Sequence, residues 1–389
     1  MSEKIKKQHR FSELDALRGF AAIATGIWHT SIMVIPHGFI NGFDGVSILN
    51  MEGISTELYL WRLFLSVCNG PIAVNMFFIL SGFVLYGMLK TEIGSQDIWS
   101  GVKRFYVRRI VRLYIPIFFA VTFIYIVSIT FGAYLGLIHH PIHDYLSNIV
   151  LGGRRLDMVT WTVKIEILAS ILFPLIYLVH NAVNKYLLMD LLILLFFIYL
   201  RVESPDRSLQ SFLFMFYLGM MIHSLGLPSY AKETNNLLLY FGILAYFILV
   251  LFAGAILNLG HSASFDLVSG VGLAGLIYAV AFRSSGTLLS RVLSSRVAQF
   301  YGKISYSYYL LHILLVYVSL NLLLNHMSVA TDLDYIFTMV VISTVVIIIT
   351  TIISWVFSIF VEQPAINISR RLAKSMRIAA INKSVGIKQ

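Results

Sequence analysis

Apolar side chains fill this chain in long blocks, and the polar residues between blocks fall into short, mostly basic interruptions. About ten blocks can be drawn, at roughly 14–36, 66–89, 111–138, 161–180, 186–201, 208–226, 236–257, 265–283, 304–325 and 335–361. A helix needs about 20 residues to cross the hydrocarbon core of a bilayer, and most blocks reach that length. The alternation that marks a membrane β-barrel is absent. The pattern therefore predicts an all-α polytopic membrane protein, a bundle of about ten transmembrane helices. An even number of spans returns both termini to one side.

Composition agrees: of 389 residues 58% are hydrophobic and 12% charged, and the mean hydropathy is +0.82. An ordinary soluble domain does not reach such values. Basic residues set the orientation. With the N terminus inside, 22 of the 29 Lys and Arg fall on the cytoplasmic side, including the runs Lys103 to Arg112 and Arg370 to Lys388. Both termini are thus expected in the cytoplasm. The net charge of +10 is then mostly topological, which leaves no need for a nucleic-acid partner and makes membrane lipids the expected neighbours. Residues 1–13 read as a basic cytoplasmic segment, 14–365 as the membrane domain and 366–389 as a basic cytoplasmic tail. The basic start is like the lead of a signal peptide, but the apolar run after it holds Asp15 and Arg18 and lacks a cleavage site, so it reads as an uncleaved span. The longest loops, roughly 37–65, 90–110 and 139–160, are too short to fold alone. No internal repeat is evident. The one cysteine, Cys68, excludes an intramolecular disulfide and a cysteine-based zinc site.

Candidate chemistry begins in the first span, LDALRGFAAIATGIWHT from Leu14 to Thr30. Arg18 and His29 are costly there. At eleven residues apart they share a helical face and differ in depth by roughly 16 Å. A guanidinium near one end suits an anionic ligand, and an imidazole nearer the middle suits proton transfer. The plainer alternative pairs Arg18 with Asp15 and leaves His29 a satisfied interior histidine. In the second span Asn75 needs a partner for its amide, while Ser81 and Gly82 form a small patch open to a ligand or to another helix. Arg108, Arg109 and Arg112 crowd one helix entry, as a phosphate clamp would, although topology alone also enriches such positions. His139, His140 and His143 with Asp144 are interrupted by Pro141 and read as a solvated loop, so no metal site is expected. Glu166, five residues after Trp161, wants an Arg or His from another span. His312 is a second intramembrane histidine, set among Ser305, Tyr306, Ser307, Tyr308 and Tyr309. Glu362 before Gln363 and Pro364 reads as a helix end with a mainly structural carboxylate.

Together these pieces resemble the acyltransferase-3 family of bacterial inner-membrane enzymes, which O-acylate cell-surface and secreted carbohydrates. The resemblance rests on an ordered set: LDALRGF with Arg18 before His29, FFILSGF at 77–83, Arg109 and Arg112, WTVKIE at 161–166, SYSYYLLH at 305–312 and the terminal VEQP. It covers residues from about 11 to 365. Some members carry an extra span and a C-terminal hydrolase-like domain, so this chain is expected to be the stand-alone form.

The resemblance implies a multi-pass protein of the bacterial cytoplasmic membrane. Its donor would be cytoplasmic acetyl-CoA or a related acyl-CoA, and its acceptor a hydroxyl of a polysaccharide or lipid-linked sugar. His29 is then the general base or a nucleophile that holds the acyl group, with the base preferred, and Arg18 and Glu166 complete the catalytic set. Arg108, Arg109, Arg112, Ser81 and Asn75 would serve the donor, and Glu166, Tyr309 and His312 the acceptor. No metal is called for. The competing reading is a transporter or flippase for a glycan or small anion, in which the same residues line a path. Oligomeric state, acceptor and acyl chain are not legible.

Overall fold

A computed structural model describes residues 3–33, 55–94, 97–184, 186–204, 207–226, 241–244, 246–249, 262–282, 287–323, 327 and 331–385. The described residues form helices without a strand. In chain order these are α1 (Glu3–Met33), α2 (Thr56–Val67), α3 (Gly70–Ile93), α4 (Ile98–Leu135), α5 (Ile142–Ile149), α6 (Thr160–Val183), α7 (Leu187–Glu203), α8 (Leu209–Leu225), α9 (Ala263–Phe282), α10 (Leu288–Leu293), α11 (Arg296–Leu323), α12 (Asp332–Phe357) and α13 (Gln363–Val385). A π-helical turn, Ser358–Glu362, joins α12 to α13.

Local chemistry sets the ends. The Asn69 side chain accepts from the Ile72 amide to start α3, and Asp97 accepts from Ser100 to start α4. Gly136 takes the left-handed conformation that closes α4. Thr331 and Asp334 form a capping box for α12.

Among the described residues, six stretches are long and apolar enough to cross a membrane: Thr56–Ile93, Ile98–Leu135, Thr160–Val183, Ala263–Phe282, Arg296–Leu323 and Asp332–Ala380. They contain six of the ten expected spans. Of the other four, 14–36 falls largely in α1, 186–201 and 208–226 correspond to the 17-residue helices α7 and α8, and 236–257 lies mostly outside the described residues.

Three boundaries differ from expectation. The basic run 103–112 is helical, because α4 starts at Ile98 and runs for 38 residues. At about 1.5 Å per residue that helix exceeds the roughly 30 Å hydrocarbon core, so one end projects beyond it. The expected loop 139–160 contains α5. The chain also does not end its helix at Pro364. Proline cannot donate to the preceding turn and would clash in a regular α-helix. The π turn absorbs this misfit, with the Gln363 amide bonded to Ser358 O, and α13 continues along α4.

Packing is closest where side chains are smallest. A Cβ on Gly82 would collide with Phe216 O, and one on Gly219 would collide with Ile79 O. These glycines let α3 and α8 touch backbone to backbone. Gly82, read from sequence as a patch for helix or ligand, is therefore a helix contact. Gly19 and Gly302 do the same for α1 and α11, and Gly26 and His29 continue that contact against Tyr308 and His312. Residues 19, 26 and 29 thus lie on the α1 face turned toward α11.

Candidate active site

The contact between α1 and α11 forms one wall of a cavity of about 440 Å³, whose other walls come from α3, α4, α6 and the α12–α13 junction. Its charged lining comprises Arg18, Arg109, Arg112, Lys303 and Arg370 against Asp15, Glu166 and Glu362. Lys303 and Arg370 are exposed, Arg112 is partly buried and Arg109 is only 5% exposed. Positive charge is therefore graded from mouth to interior.

Two of these cations are answered within the protein. Arg18 Nη1 lies 3.1 Å from Asp15 Oδ1. Arg109 donates through Nη2 to Glu166 and through Nε to Ser170 Oγ at 3.0 Å. Ser81 Oγ also donates to Glu166, at 2.7 Å. Among the described residues, Arg112, Lys303 and Arg370 have neither ion pair nor hydrogen bond. Glu362 and Asp15 of the lining attract Arg112 through space but make no direct bond to it. The cavity is therefore suited to an anionic ligand, and Arg112 is its innermost unpaired cation.

The clamp expected from sequence thus divides. Arg109 and Arg112 face the cavity, whereas Arg108 turns away and donates to Glu92 Oε1 at 2.6 Å, beside Arg104 at 2.9 Å from Oε2. Arg108 is tied to a carboxylate outside the cavity wall and does not line the cavity. Asn75 does not line it either. Its amide donates to Asp266 Oδ1 at 2.9 Å and to Ser269 Oγ at 3.0 Å, within a buried network that includes Arg201. Ser81 lines the cavity, but its proton is committed to Glu166, so it is not a free donor. Glu166 meets an arginine from another helix, Arg109 of α4, as its sequence position called for, and Ser81 joins the pair.

His29 and His312 come together. Their rings stack with centroids 5.1 Å apart, and His29 Nδ1 lies 2.9 Å from His312 Nε2. The other nitrogen, His312 Nδ1, is 2.8 Å from the Tyr309 carbonyl. A carbonyl can only accept, so His312 carries its proton on Nδ1 and offers the Nε2 lone pair. His29 must then donate from Nδ1, which leaves the lone pair on its Nε2. Both nitrogens of His312 are engaged and the residue is fully buried. It does not line the cavity, where its sequence assignment had placed it with the acceptor.

Neither histidine is in the cavity wall, but Tyr309 is, and its ring lies 5.6 Å from that of His312. The Tyr309 and Thr162 hydroxyls are 2.9 Å apart, with Thr162 also on the wall. Tyr309 thus connects the cavity to the histidine pair.

Sequence reasoning missed Lys303 and Arg370, which it counted only as topological charge, and it treated Glu362 as an interface residue. Glu362 is buried, accepts from Ser307 and lines the cavity. Its place in the π turn was the available signal, since proline two residues later disturbs the helix there.

No cluster of His, Cys, Asp and Glu suited to a metal occurs among the described residues. His140 and Asp144 are 3.3 Å apart and form an ordinary local pair. No curated protein and no solved structure gives a match. The chain does match a family whose description is acyltransferase domain, Acyl_transf_3, over residues 11–359. That span takes in Arg18, His29, the α4 arginines, Glu166 and the His312 helix, and the chain belongs to the acyltransferase-3 family, as a multi-pass membrane acyltransferase.

Proposed function

We propose that the protein moves an acyl group, acetyl in the simplest case, from cytoplasmic acyl-CoA to a hydroxyl of a cell-surface or exported polysaccharide or lipid-linked sugar. The proposed setting is the bacterial cytoplasmic membrane, with both termini inside. One observation supports the donor reading: three cations of one cavity, Arg112, Lys303 and Arg370, make no direct ion pair or hydrogen bond among the described residues and are graded from the mouth toward the interior. The diphosphate and ribose phosphate of CoA are groups such cations recognise, with arginine able to bind two oxygens at once. Lys303 and Arg370 meet the nucleotide end, and Arg112 the phosphates nearest the pantetheine arm.

The chemistry follows from His29. Its unprotonated Nε2 takes the proton of the acceptor hydroxyl as the oxygen attacks the thioester carbonyl. The C–S bond breaks as the ester forms, and the proton passes from His29 to the departing CoA thiolate. His312 keeps the ring in the tautomer that this requires. Tyr309 supplies a hydroxyl near the site of developing negative charge. The apolar bundle limits water, which would hydrolyse the thioester.

Calorimetry with acetyl-CoA on purified protein tests the donor step. Saturable binding is expected, weakened about 10²- to 10⁴-fold in Arg112→Ala/Lys303→Ala, since charge-assisted hydrogen bonds contribute about 1.5–3 kcal/mol each and two are removed. Folded protein that binds no acyl-CoA would sink the reading and favour a transporter or flippase.

A further inference from the structure

The segment between α5 and α6 contains a buried acid that the proposed mechanism does not use. Asp157 is fully buried. Its Oδ1 accepts from the Val159 amide at 3.2 Å, while Oδ2 has no partner. The backbone around it is tied down closely. Asn148 on α5 donates to Asp157 O at 3.2 Å and accepts from the Leu156 amide at 3.1 Å, and the Thr160 hydroxyl donates to Asp157 O at 2.8 Å. Leu151 stands in the same segment at φ 56°, a left-handed conformation that a leucine seldom adopts. An orphaned carboxyl oxygen and a strained residue within seven positions mark an element held in place by its surroundings.

Its position gives the strain a use. Leu156 and Val159 pack with Val163 and Tyr309 in one apolar cluster, and Tyr309, Thr162 and Val163 belong to the cavity wall. We propose that residues 150–159, packed behind the Tyr309 wall of the cavity and not in its lining, form a proton-sensitive lid, latched shut while the Asp157 carboxyl is protonated.

The electrostatic surroundings support this. Tyr309 from α11, Tyr125 from α4 and Tyr145 from α5 share the cluster and bring phenol hydroxyls, not cations, to it. On α5, Asp144 is engaged with His140 and with Arg155, 3.8 Å away. Among the described residues no cation pairs with Asp157. Burial pushes its carboxyl up to about 7, and the single Val159 amide offsets this only in part. In an open lid the carboxyl meets water and returns to an ordinary value near 4. The closed form thus binds the proton more tightly. Raising the pH from about 4 to 7 favours opening by roughly tenfold per pH unit, and the effect levels off above 7. The benefit to catalysis, admission of an acceptor at the end away from the basic mouth, rests on the acyltransferase reading. The lid itself does not.

Hydrogen exchange on the full-length protein tests it without any substrate, so its failure is separate from failure of the acyltransferase reading. Protection of peptides covering the Gly152, Gly153, Leu156 and Val159 amides is measured from pH 4.5 to 7.5, each value normalised to an unstructured peptide at the same pH. Wild-type protection is expected to fall about a hundredfold across that range, and Asp157→Asn to stay flat. A flat wild type overturns the lid, as does an Asp157→Asn protein that follows the wild-type curve. Should Asp157→Asn fail to fold, Leu151→Gly keeps the proposal exposed. Its protection is expected to shift by one common factor at every pH, and loss of the pH slope in that variant overturns the latch.

Discussion

A proton on one nitrogen decides what His29 can do, and that proton is placed by a chain of three groups: Tyr309 O, His312 and His29. If the chain is broken at His312, His29 loses its acceptor at Nδ1 and its ring is free to change tautomer. His312→Leu is expected to lower kcat by about 10²-fold with little change in the acyl-CoA KM, the scale on which general-base catalysis operates. Glutamine offers a carbonyl oxygen to the same Nδ1–H, so His312→Gln should recover part of kcat. Equal losses in both variants, or a loss seen only in KM, would remove the positioning role. His29→Ala is expected to abolish transfer while acyl-CoA binding by calorimetry persists. At this scale the sequence was informative about need and silent about partners. Arg18, His29, Asn75, Glu166 and His312 stand out because polar groups in hydrocarbon are expensive. That cost says a partner exists, and not which one. Glu166 finds Arg109 across 57 residues of sequence, and Asn75 finds Asp266 across 191, so one enters the cavity and the other a structural network. Arg108 and Arg109 are adjacent, and helical geometry turns them apart, one to Glu92 and the other to Glu166.

Helices in this bundle are located by their glycines as much as by their apolar faces. Lipid is as apolar as leucine, so association depends on close packing, and the closest approach is between α3 and α8. Gly82→Ala drives a methyl group into Phe216 O, a backbone atom that cannot rotate aside. The expected cost is about 1–3 kcal/mol, the range for overpacking in a close-packed interior, read as earlier thermal unfolding in detergent. Val84→Ala, at a half-buried position of the same helix, should cost less. Comparable losses at both positions would mean that the glycine contact is not special. Hydropathy located the interior of most helices and misplaced those that leave the bilayer. The run from Lys103 to Arg112 looks like a loop because it is charged, yet Lys and Arg are good helix formers, and α4 begins before it at Ile98. The same confusion hid α13, whose basic residues read as a tail. A helix outside hydrocarbon carries no continuous apolar block to betray it. The pairing of these two helices matters to the site, because together they bring Arg112 and Arg370 to the same cavity.

The cavity is basic on its exposed side. Lys303 and Arg370 stand exposed at its mouth, while the His29 and His312 pair lies beyond Tyr309 on the other side of the cavity lining. Under the proposed function, an acyl-CoA too polar to cross the bilayer enters from that mouth, and the sequence expectation of cytoplasmic Lys and Arg puts the mouth on the inner side. Proteoliposomes turn this into a measurement. Insertion leaves some molecules with the C-terminal end outward and others inward, and protease access to a C-terminal tag gives the two fractions. With acyl-CoA supplied only outside, the rate of transfer to a soluble sugar acceptor present on both sides should scale with the fraction whose tag is accessible. A rate proportional to the inaccessible fraction would mean that the donor enters opposite the basic mouth, and Arg112, Lys303 and Arg370 would lose their donor role. Binding by detergent-solubilised protein cannot make this distinction, because both ends are then open to solution. A rate that follows the accessible fraction and falls in Arg112→Ala/Lys303→Ala connects cavity charge, topology and donor entry in one experiment.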